Sequence, residues 1–95
     1  MNHDTEELCI FLTRLQRGAI GRKDALDTLL TLAALKTPGL EELFGNLHHY
    51  IADVDIRAKD AGYRELQDSE MAKLIACLRA GEIAKANRVT FLGRT

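Results

Sequence analysis

Apolar residues in the middle of the chain fall at Leu40, Phe44, Leu47, Ile51, Val54 and Ala58, in steps of four and three. That spacing keeps all six on one narrow stripe of an α-helix. Glu41, Glu42, His48, His49, Asp53, Asp55, Arg57 and Lys59 lie between them, on the sides that face water. The pattern predicts the longest helix of the chain over 40–61, closed by Gly62. Thr37-Pro38-Gly39 opens it, because Thr37 can cap and Pro38 suits a first helical position, where a missing N–H is no loss. Gly45 is a defect inside this helix, costing roughly 1 kcal/mol against Ala. It admits either a close helix crossing or a bend after which Asn46 caps a fresh start.

Three further helical segments supply a partner surface for that stripe. The first starts at Asp4 or Thr5 as cap, with Glu6 and Glu7 at the positive end of the helix dipole. Leu8, Phe11, Leu12 and Leu15 mark its face, and Gly18 is a left-handed stop. A second helix is predicted from Arg22 or Lys23 to Leu35. Leu26, Leu29, Leu30, Leu32 and Leu35 cover most of its circumference, and only Asp27, Thr28 and Thr31 leave a polar edge. A helix apolar nearly all round is either central or covered by a second subunit. A fourth is expected after Asp68-Ser69-Glu70, read as caps and first-turn acids, with Met71, Leu74, Ile75 and Leu78 on one face up to Gly81. Tyr63–Gln67 is open between a loop and an early turn. The segment 82–87 reads as a short helix and 89–92 as an extended tail.

One echo runs through the chain. Leu8, Phe11, Leu12, Leu15, Gly18 and Ile20 recur as Met71, Leu74, Ile75, Leu78, Gly81 and Ile83, at a constant offset of 63. Two helices ended by the same glycine device account for it, and a duplicated helix–turn–helix unit is the sharper alternative. The fold predicted is all-α: a single helical domain over 1–95, an antiparallel bundle of four main helices with a short fifth helix or extended C-terminal tail.

Composition narrows the function more by exclusion than by assignment. Ninety-five residues make one domain, and 46% apolar residues allow a modest core. A formal charge of −1 sets up no global field toward nucleic acid or acidic membranes. The most apolar run, 26–35, is too short and too polar to cross a bilayer. The acidic N-terminal residues do not resemble a secretory leader, and the two cysteines, Cys9 and Cys77, fit no C-x-x-C spacing. A cytoplasmic protein with reduced thiols is the expectation.

Candidate chemistry is sparse. His49 and Asp53 stand one turn apart on the predicted helix, so His48, His49 and Asp53 are weak metal candidates, without the further Cys or His pair that a closed zinc site uses. Cys9 sits near Glu6 and Glu7, and Cys77 near a helix C-terminus; both settings disfavour a reactive thiolate. Ser69 is the only serine and reads as a cap. No Gly-rich phosphate loop occurs. No catalytic residue and no cofactor is implied. The function expected is a non-enzymatic interaction or regulatory module, acting on a protein partner or on itself as a homodimer. Leu26, Leu29, Leu30, Leu32 and Leu35 are the candidates for its core or interface. The alternative is a small nucleic-acid-binding regulator using Arg79, Lys85, Arg88 and Arg94, disfavoured by the near-neutral total charge.

Overall fold

Leu8, Leu12, Met71 and Leu74 are wholly buried, and each such side chain contributes roughly 1.5–3 kcal/mol when taken from water. They belong to the two helices whose packing organises the molecule. The structure, a computed structural model, describes residues 3–91. Its helices are α1 (His3–Gln16), α2 (Arg22–Leu29), α3 (Glu41–Ala52), α4 (Val54–Lys59), α5 (Ala61–Arg79) and α6 (Ile83–Asn87), with a 3₁₀ turn at Ala33–Lys36. The fold is all-α, with no strand among the described residues and four helices of seven or more residues. The main packing partners are α1 with α5, α2 with α3, and α5 with both α4 and α6. Among the described residues, no helix is long and apolar enough to cross a membrane.

The predicted glycine stops at Gly18 and Gly81 are present and share one geometry. Gly18 has φ +69° and Gly81 φ +76°. The Gly18 and Gly81 amides donate to Leu15 and Leu78 carbonyls, and the next amides, of Ala19 and Glu82, reach back to Arg14 and Cys77 at 2.9 and 2.8 Å. This paired closure satisfies carbonyls that a helix end otherwise leaves bare. Ile20 and Ile83, two places on, pack partly buried against the core. A common closing device therefore accounts for the echo.

The central stripe departs from expectation. Leu40, Leu47 and Ile51 are buried and Phe44 is partly so, but Val54 is 38% exposed and Ala58 is exposed. The segment is not one helix. It breaks at Asp53, whose φ of −84° and ψ of 11° separate α3 from α4. Gly45 lies within unbroken α3, exposed, and a Cβ there would meet nothing within 4 Å. It marks neither a fresh start at Asn46 nor a close crossing. The longest helix is instead α5, with 19 residues. Gly62 sits in its first turn rather than ending a segment, and Asp60 caps it by accepting from the Tyr63 amide at 3.1 Å. Tyr63–Gln67 is thus helical, and Asp68-Ser69-Glu70 lies inside α5, not at a cap.

The second helix is also shorter than predicted. It stops at Leu29; the Thr31 amide and hydroxyl both turn back to the Thr28 carbonyl at 2.9 Å. Leu32 is then extended, and the 3₁₀ turn lies between α1 and α3. A turn with neighbours on two sides can bury the adjacent Ala34 and Leu35 together, which one face of a continuing helix cannot. Of the five candidate leucines, Leu29, Leu32 and Leu35 are core and Leu26 is partly buried, while Leu30 stands 63% exposed. In the tail, α6 matches the short helix expected. Val89 and Thr90 are irregular, and Phe91 is buried at φ 63°. Leu92 falls outside the described residues.

The N-terminus of α3 has no cap of its own, since Leu40 stands at the capping position. Asn87, at the end of α6, supplies one: its Oδ1 accepts from the amides of Glu42 and Leu43, both at 2.9 Å. The bond joins segments 44 residues apart.

Candidate functional site

The break at Asp53 is held by a polar cluster between α3, α4 and α5. Tyr63 donates its hydroxyl to Asp53 Oδ2 at 2.7 Å, and Gln67 Nε2 donates to the Tyr63 hydroxyl at 2.8 Å. Gln67 Oε1 accepts from Arg57 Nη1 at 2.6 Å, and the same Nη1 donates to the Tyr50 carbonyl. Among the described residues Gln67 is the one polar residue in the core, 1% exposed, and these bonds satisfy both ends of its amide. The Arg57 guanidinium lies 3.8 Å from the centre of the Tyr50 ring, which in turn packs against Phe91 at 5.0 Å. Burial holds the Tyr50 hydroxyl above its ordinary pKa, and the bond to Asp53 does the same for Tyr63. Charge, stacking and a carbonyl fix Arg57 in one orientation.

That fixed guanidinium forms one wall of an open groove of about 290 Å³ at the C-terminal end of α1. Arg17 reaches it from just past α1 and Arg64 from α5, with Asp68 as the single carboxylate among the described lining residues and Leu15 and Val54 among its apolar lining. A smaller hollow continues it past Arg22. Arg22 is occupied there, donating to the Ala52 carbonyl at 2.7 Å and pairing with Asp55 at 3.7 Å. The larger groove therefore sets three guanidiniums against one carboxylate, in a protein whose total charge is −1. Sequence reasoning passed over this set because its members come from three separate elements. The available signal was Arg57 and Arg64, seven apart and on either side of the α4–α5 junction.

The residues that the sequence did single out are dispersed. His48 and His49 are exposed, and Asp53 is engaged with Tyr63 and Gln67. Among the described residues, no group of three or more His, Cys, Asp or Glu is placed to hold a metal ion. His49 and Asp53 do share a hollow of about 270 Å³ with Asn46, Gln67 and Phe91. Cys9 is buried in the core; burial raises its pKa, Arg79 pulls it down and Glu6 raises it further. Arg79, Lys85 and Arg88 are exposed, and Lys85 is paired with Glu82 at 2.7 Å, which removes one charge from that patch. Arg94 lies outside the described residues.

One exposed stripe remains. Glu7, Ile10 and Arg14 lie along the outer side of α1, beside a shallow hollow of about 180 Å³ that Phe11, Ile20 and Leu32 help to wall. Ile10 is 55% exposed at its edge. No family model, curated protein or solved structure matches the chain.

Proposed function

We propose that the protein is a non-enzymatic interaction module that pairs with a second copy of itself through the outer side of α1. The supporting observation is the order of residues along that stripe: an acid at Glu7, an exposed apolar residue at Ile10, a base at Arg14. The steps of three and four keep them on one face. A two-fold axis between Ile10 and Phe11 sets two such helices antiparallel. Glu7 of each copy then meets Arg14 of the other, with apolar side chains at the centre, which is the self-complementarity a two-fold interface needs. Among the described residues, Glu7 pairs within its own helix with the exposed His3 at 3.4 Å. A single helix face is a small interface, so the expected dissociation constant lies in the micromolar range, on the order of 10–100 μM.

Sedimentation velocity between low and high micromolar concentrations tests the pairing. Ile10→Lys should give a folded monomer throughout, because the side chain it replaces is more than half exposed. Arg14→Glu should weaken association by like-charge contact, and Glu7→Arg added to it should restore association. A wild-type monomer at the highest concentration, or a double variant as impaired as the single, refutes the reading.

A further inference from the structure

We propose that the groove between the end of α1, α4 and the start of α5 binds a phosphate monoester carried on a small apolar body. The inference does not rest on the self-pairing reading, and only Arg17 is common to the two surfaces. Arg17, Arg57 and Arg64 line it together with Asp68, an excess of two positive charges among the described lining residues, which a dianionic phosphate neutralises and a monocarboxylate does not. Guanidiniums match phosphate oxygens in paired, in-plane hydrogen bonds, and one of the three is already immobilised. Arg57 uses Nη1 for its bonds to Tyr50 and Gln67, while stacking on Tyr50 holds the plane of the fork. Little rotamer freedom is lost when such a group binds. Arg17 and Arg64 are exposed and flank it from two other elements. The apolar Leu15 and Val54 lie in the same lining, and Val54 is 38% exposed although Ile51, the stripe residue before it, is buried. An inorganic anion would leave that surface wet, whereas an ester with a short hydrocarbon body covers it. At about 290 Å³ the groove stands at the lower limit for small-molecule sites, so the body must be small or must project into solvent.

Calorimetry and amide-shift mapping on the full chain, with hexyl phosphate, inorganic phosphate and hexanol as probes, test the assignment. Hexyl phosphate should bind one to one, with shifts at Arg17, Tyr50, Arg57 and Arg64. Inorganic phosphate should bind at least tenfold more weakly, and hexanol should show no saturation. Arg17→Gln with Arg64→Gln, two exposed positions whose loss leaves the core intact, should weaken hexyl phosphate at least tenfold while the helical circular dichroism is unchanged. Vesicles of phosphatidylcholine with and without phosphatidic acid identify the natural body: co-sedimentation that the double variant abolishes assigns a lipid, and binding of the soluble ester alone assigns a free metabolite. Equal affinity for hexyl phosphate and inorganic phosphate, undiminished binding in the double variant, or shifts confined to Lys85 and Arg88 overturns the proposal.

Discussion

Gly45 and Gly81 make a matched pair in which one substitution should act with opposite signs. Neither position has an atom within 4 Å of where a Cβ would stand, so packing gains and clashes are absent from both. Gly45 is exposed and sits in the interior of α3, four residues after its first. Alanine there removes the entropy that glycine loses on becoming helical, worth about 0.8–1 kcal/mol, part of it through the unfolded chain. For a domain of this size, that corresponds to a rise in Tm of roughly 4–8 °C. Gly81 holds φ +76° to close α5, and its amide bonds to Leu78 at that geometry. A Cβ in the left-handed region costs about 1–2 kcal/mol, which outweighs the unfolded-state gain. Urea unfolding followed by circular dichroism should therefore move the midpoint up for Gly45→Ala and down for Gly81→Ala, with the slope unchanged in both. A neutral or destabilising Gly45→Ala would mean that α3 is broken or closely crossed at that point, contrary to its unbroken course and the open space beside Gly45. A Gly81→Ala without loss would remove the left-handed closure from the account of the echo.

Asn87→Ala takes away the acceptor for the Glu42 and Leu43 amides and should cost about 1–2 kcal/mol by urea unfolding, although Asn87 lies outside the helix it caps. Hydrogen exchange should report the loss at the first turn of α3, and a loss confined to α6 would contradict the cap. Alkaline pH should also destabilise the fold. Tyr50 and Tyr63 hold their protons above the ordinary value of 10.0 in the folded state, so their contribution is complete below pH about 10 and falls as the unfolded chain ionises. Tyr63→Phe should be less stable than wild type at pH 8, and the difference should shrink by pH 11. A difference that stays constant would show that Tyr63 titrates alike in both states.

Features fixed by a few neighbouring residues were legible in the sequence. The α1 face, the left-handed stops at Gly18 and Gly81, and the short helix ending at Asn87 each follow from local spacing. Features fixed by distant partners were not. The stripe from Leu40 to Ala58 keeps its helical period across Asp53, and nothing in that period reveals a break stabilised by Tyr63 and Gln67 from the following helix. The run from Leu26 to Leu35 is apolar round most of its circumference, and the narrow polar edge of Asp27, Thr28 and Thr31 gave periodicity too little by which to detect the change at Leu30. Once the chain turns there, Leu32 and Leu35 enter the core and Leu30 is left outside. The basic residues follow the same rule. Arg79, Lys85, Arg88 and Arg94 drew notice because they are close in sequence, yet the three arginines that share a groove lie at 17, 57 and 64.

The two surfaces proposed for binding meet at one residue, and this gives a constraint on both. Arg17 continues the stripe of Glu7, Ile10 and Arg14 by one further step of three, and its amide still bonds to the Thr13 carbonyl in helical fashion. A two-fold axis between Ile10 and Phe11 that pairs Glu7 with Arg14 also sets Arg17 opposite Asp4 of the second copy. The same guanidinium cannot serve that carboxylate and a phosphate in the groove at full strength. Binding of the ester should then loosen self-association, and by reciprocity the dimer should bind the ester less tightly than the monomer does. Replacing Asp4 by Asn separates the cases: it should raise the affinity of the dimer for hexyl phosphate while leaving that of the Ile10→Lys monomer unchanged. If the ester and self-association prove independent, Arg17 does not reach across the axis, and the pairing is centred elsewhere on α1.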